Sequence, residues 1–229
     1  MYNNKRILAF IPARANSKRV INKNKRLLAG KPLFLHSVEV AKNNKFIDDV
    51  LVSTDDHEIK ELSIKSGCLN TSLRPDYLSG DNARIVDSIL YEVSTNLLNY
   101  DAVILLQPTF PFRSNELLNN SIIEYFKNEE SLITVEKINI FPGFIRKIDK
   151  KGILEKITNL SGDTRSQDFN DYYKIVGNVY INNLKKIKKE TILNENKYPF
   201  EIEGEFCLDI DTEEDFKKAT DIYDVNKKQ

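Results

Sequence analysis

The sequence predicts an α/β fold: a three-layer, mostly parallel sheet covered by helices on both sides. Three observations carry this. Short apolar runs alternate with longer segments of helical spacing. The runs Ile7–Ile11, Asp49–Thr54 and Ala102–Leu106 are continuously apolar over most of their length, as strands buried on both faces are. The chain of 229 residues, with 41% hydrophobic side chains, is long enough for one sizeable core.

The elements follow in order. Ile7–Ile11 is the first strand, and a polar loop runs from Ala13 to about Arg26. Pro32 opens a helix through Leu33, Leu35, Val38 and Ala41. Asp49–Thr54 is the second strand. Glu58–Ser66 is a helix stopped by Gly67. Asn82–Leu98 has helical spacing at Ile85, Ile89, Val93 and Leu97, and Ala102–Leu106 is the third buried strand. Ser114 caps a helix to about Lys127. Between about 132 and 181, short strand-like runs are separated by Pro142, Gly143, Gly152 and Gly162. They predict a small antiparallel excursion, a flap or dimerisation arm inserted in one domain spanning 1–229. Phe206–Asp211 is expected to be a core strand, and Thr212 to cap a last helix with Glu213, Glu214 and Asp215 in its first turn.

Composition narrows the function. Acidic and basic side chains balance at 34 each, which argues against a nucleic-acid partner. An anionic ligand would need a local cluster of cations. The two cysteines, Cys68 and Cys207, have no metal or redox spacing and are expected as buried thiols in a cytoplasmic protein. No apolar run approaches the ~20 residues that cross a bilayer, and Ile7–Ile11 is too short for a signal-peptide core.

In an open parallel sheet, ligands bind beyond the carboxyl ends of the strands. The loop after the first strand holds six cations between Arg14 and Arg26. Such a loop can offer a polyphosphate both charge and amide donors. It is no P-loop, because Lys25 and Pro32 stand where glycine and a hydroxyl residue belong. It has no Rossmann glycines either. In Leu208-Asp209-Ile210-Asp211, strand alternation would place both carboxylates on one face. Two such carboxylates suit magnesium with substrate phosphates, although Asp211 also suits a plain turn before the Thr212 cap. Gln107, after the third strand, can read a base edge or cap loop backbone. Arg165, in Thr-Arg-Ser-Gln-Asp, is on residue type alone a surface arginine. His36 and His57 support neither a nucleophile relay nor a zinc site.

Together these segments resemble the acylneuraminate cytidylyltransferase family, the CMP-sialic acid synthetases. The opening match is Pro12, Ala13, Arg14, Ser17, Lys18, Lys23 and Asn24, continuing to Leu28-Ala-Gly-Lys-Pro-Leu33. Next come Val52-Ser53-Thr54-Asp55, then Arg74-Pro75 with Leu78, Asp81 and Ala83. Leu105-Leu106-Gln107-Pro108-Thr109 with Pro111 and Arg113 follows, and last Asp209-Ile210-Asp211-Thr212-Glu213. The matches keep the family's order and span nearly the whole chain.

The resemblance implies a Rossmann-like nucleotide-diphospho-sugar transferase fold and a homodimer. It also implies transfer of CMP from CTP to a nonulosonic, sialic-acid-type sugar acid. Arg14, Lys18, Lys23, Asp209 and Asp211 would be catalytic. Ala13, Arg14, Asn16, Ser17, Lys18, Lys23, Asn24, Arg74 and Gln107 would hold the nucleotide. Gln107, Arg165, Gln167 and Lys174 would meet the sugar, in a site completed by the partner subunit's arm, and Asp209 with Asp211 would bind Mg2+. Departures at Ala15, Asn16, Arg19, Arg84, Ile85 and Val176 fall partly on the sugar side, so they bear on which acid is used. The Thr-Arg-Ser-Gln-Asp run looks like pseudaminic acid relatives, whereas Leu-Gln-Pro-Thr looks like sialic or legionaminic acid relatives. A 3-deoxy-octulosonate cytidylyltransferase and a catalytically silent nucleotide-binding protein of this fold are the alternatives.

Overall fold

The computed structural model describes residues 1–15, 17–96, 98–128, 130–160 and 171–226. Its centre is a six-stranded sheet in the order β10-β6-β9-β5-β1-β4. These strands are β1 (Ile7–Pro12), β4 (Asp49–Ser53), β5 (Ala102–Leu105), β6 (Ser131–Ile138), β9 (Tyr172–Asn183) and β10 (Tyr198–Glu201). β1 pairs in parallel with both β4 and β5, and β10 in parallel with β6. Only β9 runs the other way, between β5 and β6. Two short hairpins lie outside this sheet, β2 (Leu27–Leu28) with β3 (Lys31–Pro32), and β7 (Arg146–Ile148) with β8 (Leu154–Lys156).

Residues alternate across β1, and every side chain from Ile7 to Ile11 is fully buried. Ile7, Ala9 and Ile11 face a layer built from α1 (Leu33–Lys42), α2 (His57–Lys65) and α4 (Asn115–Asn128). Leu8 and Phe10 face α3 (Ile85–Thr95) through Val86 and Ile89. This is the physical basis of the continuous apolar runs: burial on both faces removes any need for polar alternation. Each such side chain contributes about 1.5–3 kcal/mol of transfer free energy. The last helix, α5 (Glu213–Asn226), packs Phe216 and Ala219 on Leu28, Leu33, Phe112 and Ile210 in a smaller cluster.

Local signals account for the helix ends. Asp56 caps α2, its side chain accepting from the amides of Glu58 (2.8 Å) and Ile59 (3.1 Å). Gly67 ends that helix in the left-handed region at φ +80°. The Ser114 hydroxyl accepts from the Leu117 amide at 3.0 Å at the start of α4. At the start of α5, the Thr212 hydroxyl accepts from the Asp215 amide while Asp215 accepts from the Thr212 amide, a reciprocal capping box.

Three expectations change. The helix expected over Asn82–Leu98 is shorter, because Gly80–Ala83 forms a turn closed by the Ala83 amide on the Gly80 carbonyl (3.1 Å). Phe206–Asp211 is not a strand. Gly204–Cys207 is a single turn opening at Gly204 (φ +61°), and the extended stretch after it is anchored at Ile210, whose N–H donates to the Thr109 carbonyl at 2.8 Å and whose carbonyl accepts from Lys23 at 2.6 Å. Its apolar alternation comes from packing against α5 rather than from a ladder. Residues 132–181 are also not wholly an excursion, because β6 and β9 belong to the main sheet. The β7–β8 hairpin alone stands apart, with Phe144, Ile148, Ile153, Leu154 and Ile157 all exposed.

β9 carries one irregularity that shapes the site. Its register against β6 passes from Ile133 opposite Tyr180 to Val135 opposite Ile175. Residues 176–179 therefore bulge opposite the buried Thr134, whose hydroxyl accepts from the Val179 amide (3.1 Å) and donates to the Val176 carbonyl.

Candidate active site

Because β1, β4 and β5 are parallel, the segments after them emerge on one edge of the sheet. β4 lies on one side of β1 and β5 on the other, so the chain reverses direction across the sheet there, at a topological switch point. A cavity of about 520 Å³ opens at this edge. It is lined by the loop after β1, by Arg74 and the Gly80–Ala83 turn, by Gln107–Thr109, and by Asp211.

The loop is fixed at its backbone. The Ala13 amide donates to the Ser53 carbonyl (2.9 Å). The Ala15 amide donates to Asp55 Oδ1 (2.8 Å), and Asn24 Nδ2 to the Arg14 carbonyl (2.8 Å). The six cations then divide. Arg14, Lys18, Arg19 and Lys23 line the cavity. Lys25 and Arg26 turn away, Lys25 to Asp56 (2.9 Å) and Glu58 (3.0 Å), Arg26 to Glu213 (2.5 Å). With Arg74, the lining carries five cations against the two carboxylates Asp81 and Asp211, a net of +3 in a chain that is neutral overall. The local cluster that an anionic ligand demands is therefore present.

Arg74 is the most deeply buried of these cations. Its side chain is 5% exposed, and its amide donates to the Thr54 carbonyl (2.7 Å). Nε and Nη2 are buried without a hydrogen-bond partner, and the nearest carboxylate is Asp55 at 3.9 Å. Burial lowers its pKa, opposed by the charges of Asp55 and Glu92. A buried guanidinium with free donors beside a cavity is built to meet an acceptor.

The acidic side is Asp209 and Asp211. Lys23 Nζ donates to the Ile210 carbonyl (2.6 Å) and to Asp211 Oδ1 (3.3 Å), and Arg19 pairs with Asp211 Oδ2 at 3.1 Å. Asp209 has one carboxylate oxygen buried without a partner. Burial raises its pKa, Thr109 opposes the shift through a hydrogen bond, and the charge of Asp211 adds to it. An orphaned oxygen beside a second carboxylate suits a hard divalent cation, which takes one or two carboxylates plus ligand phosphates. Among the described residues, no cluster of three or more His, Cys, Asp or Glu side chains forms a fuller metal cage.

Gln107 is placed by the β9 bulge. Its Nε2 donates to the Gly177 carbonyl at 3.1 Å. Arg113 holds the whole Gln107–Arg113 segment from behind. It donates to the carbonyls of Gln107 (2.7 Å), Phe110 and Asn178 (2.7 and 3.1 Å) and to the Ser37 hydroxyl (2.8 Å). Burial pulls its pKa down to about 9, still well above neutral.

Of the expected site residues, Arg14, Ser17, Lys18, Lys23, Asn24, Arg74, Gln107 and Asp211 line one cavity. Ala13 is buried behind it, and Asp209 neighbours it through Asp211. Asn16, Arg165 and Gln167 lie outside the described residues. Lys174 is not at this cavity. It pairs with Glu136 (2.6 Å) and lines a separate hollow with Cys207 and Lys218. The positioning residues Asp55 and Arg113 carried no role in the sequence reading, although both stand within its motifs. Neither histidine lines the cavity. His36 is satisfied by the Leu28 carbonyl and the Tyr223 hydroxyl, each at 2.9 Å. Burial raises both thiols to about 11, and Cys207 is only partly buried. No helix among the described residues is long and apolar enough to cross a membrane.

Known proteins are similar to this chain in fold or in sequence. The structure of a CMP:2-keto-3-deoxy-manno-octonic acid synthetase complexed with CTP superposes with a TM-score of 0.73 at 17% identity, covering 96% of this chain and 99% of that one. A CMP-N,N'-diacetyllegionaminic acid synthase from Legionella pneumophila is 32% identical over 97% of this chain and 98% of its own length. A pseudaminic acid cytidylyltransferase from Campylobacter jejuni is 28% identical over 96% and 97%. An N-acylneuraminate cytidylyltransferase from Streptococcus agalactiae is 27% identical over 91% of this chain, which spans 51% of that protein. The family model described as Cytidylyltransferase matches residues 8–227, nearly every element described above. With the cavity at the switch point and the motifs in order along that same span, the chain belongs to the cytidylyltransferase family.

Proposed function

We propose that this protein transfers CMP from CTP to the anomeric hydroxyl of a nonulosonic, sialic-acid-type sugar acid. The observation that carries the reading is one cavity in which four loop cations and the free donors of Arg74 stand with Asp211, with Asp209 adjoining Asp211. The names of the full-length relatives support the class of acceptor.

In this reading the sugar hydroxyl oxygen attacks the α-phosphorus in line. The bond from the α-phosphorus to the oxygen bridging to the β-phosphate breaks, and pyrophosphate leaves. Arg14, Lys18 and Lys23 hold the triphosphate, with Ser17, Asn24 and the amides of the loop, and offset the charge that grows on the leaving group. Asn24 keeps the loop in place through the Arg14 carbonyl. Arg74 and Gln107 orient the nucleotide and the acid. Asp209 and Asp211 would hold Mg2+, which when bound supplies charge neutralisation at the phosphates. The hydroxyl proton passes to a nearby base or to solvent.

The exposed apolar side chains of the β7–β8 hairpin support a homodimer in which this arm covers the partner's sugar site. Lys174, which does not line the cavity of its own chain, fits a role toward a partner's sugar. Light scattering of the purified chain tests the dimer. A monomer at micromolar concentration would remove that part of the reading.

The testing experiment is pyrophosphate release from CTP and magnesium with N-acetylneuraminic, legionaminic, pseudaminic and 3-deoxy-octulosonic acids. Release with one nine-carbon acid, abolished by chelation, is expected. Release with the eight-carbon acid alone would replace this acceptor class. CTP binding with no turnover on any acid would favour a silent nucleotide-binding protein.

A further inference from the structure

Asp81 has no part in the roles above, yet it contacts the residues at their centre. It stands in the Gly80–Ala83 turn at the cavity mouth. Its two carboxylate oxygens are divided between two cations. Oδ1 accepts from Arg14 Nη1 at 3.2 Å, and Oδ2 pairs with Lys18 Nζ. The same two side chains are those proposed to hold the triphosphate. One carboxylate thus spans two cations as a pair of phosphate oxygens would.

We propose that Asp81 is a displaceable counter-anion: it holds Arg14 and Lys18 at the cavity and competes with the nucleotide's phosphates for them. The inference rests on the nucleotide-binding reading of this cavity. Three features support it. The Asp81 side chain is 51% exposed and that of Lys18 78%, so the pairing is weak and exchanges readily. A Cβ at Gly80 would meet nothing within 4 Å, so no neighbour locks the turn on that side. A carboxylate left among the phosphates of a bound nucleotide would repel them. Asp81 therefore acts through Arg14 and Lys18 as a positioning residue. It keeps the loop gathered when no nucleotide is present, lowers triphosphate affinity, and returns to the cations as pyrophosphate leaves.

The test is calorimetric titration of CTP, and separately of inorganic pyrophosphate, into the full chain and its Asp81→Asn variant, with steady-state kinetics alongside. Asp81→Asn is expected to bind both anions about two- to fivefold more tightly. The KM for CTP should fall by the same factor while the KM for the sugar acid stays unchanged. A residue that only props up the fold would instead raise both. In a Lys18→Ala background the gain should shrink, because one of the contested cations is gone. Asp81→Ala repeats the measurement without any side-chain acceptor. Equal or weaker binding by both Asp81 variants overturns the proposal, as does an undiminished gain in the Lys18→Ala background. If the unaltered chain binds no CTP at all, the nucleotide-binding reading falls first and this inference with it.

Discussion

Gly177 and Gln107 meet with no room between them for a side chain: a Cβ on Gly177 would lie 2.5 Å from Gln107 Nε2, which donates to the carbonyl of the same glycine. No positive φ requires glycine there, so the requirement is one of space. Gly177→Ala should push the amide of Gln107 out of its place in the cavity. The same Cβ would lie 3.1 Å from the Tyr180 hydroxyl and 3.3 Å from Phe110 Cε2, both on buried side chains, so the fold should lose some stability as well. We expect kcat/KM to fall about 10- to 100-fold, the scale of an ångström of misplacement. Thermal melting should fall by a few degrees, with the protein still folded at assay temperature. Unchanged kcat/KM would show that Gln107 does not place substrate.

Asp209 predicts an uncommon pairing of effects. Its carboxylate is disfavoured by burial and by the neighbouring Asp211, with one oxygen unpartnered. Asp209→Asn relieves the charge penalty without changing shape much. The variant should be as stable as the unaltered protein or more so, and should lose turnover heavily. Asp211→Asn differs, because it also frees Arg19 and Lys23. A protein with both substitutions that folds and releases pyrophosphate at the normal rate would refute the assignment of the two carboxylates.

The sheet and the cavity were legible because their causes are local. Burial on both faces leaves continuous apolar runs, and a parallel sheet confines the ligand edge to the residues after β1, β4 and β5. The loop cations could be counted, but not divided. Nothing in the spacing says that Lys25 and Arg26 turn to Asp56, Glu58 and Glu213, because those partners come from the start of α2 and from α5. Phe206–Asp211 misled for a related reason: alternation reports which side of an extended chain is buried, not whether a neighbouring strand is there to pair. The bulge at 176–179 is set by the buried Thr134 on another strand, beyond the reach of local pattern.

Arg113 shows what such long-range placement contributes. One guanidinium ties three carbonyls and a hydroxyl from the Gln107 loop, β9 and α1. Lysine keeps the charge but lacks the planar fork. Arg113→Lys should orphan at least one buried acceptor and cost about 2–3 kcal/mol in chemical denaturation. Activity should fall through Gln107, with kcat/KM affected even where the protein remains folded. A loss below about 0.5 kcal/mol, within the range of ordinary surface changes, would contradict the role.

Asp56 links the loop to the sheet in a way that pH can read. It caps α2 through two amides and pairs with Lys25 at 2.9 Å. Burial works against its charge, but Lys25 and the amides of Ile59 and Glu58 prevail, so its pKa lies below the ordinary 3.8. A depressed carboxyl pKa stabilises the fold above the unfolded-state value, and that stabilisation is lost as pH falls through the lower folded-state value. Asp56→Ala should therefore cost about 1–2 kcal/mol near neutral pH. Asp56→Asn, which keeps an acceptor for the cap but not the charge, should cost less. Denaturation curves at neutral pH and at a series of values below 3.8 check the sign. The gap between the unaltered chain and Asp56→Asn should close as the pH falls, and a gap that instead widens on acidification would mean that Lys25 and the two amides do not hold Asp56 ionised.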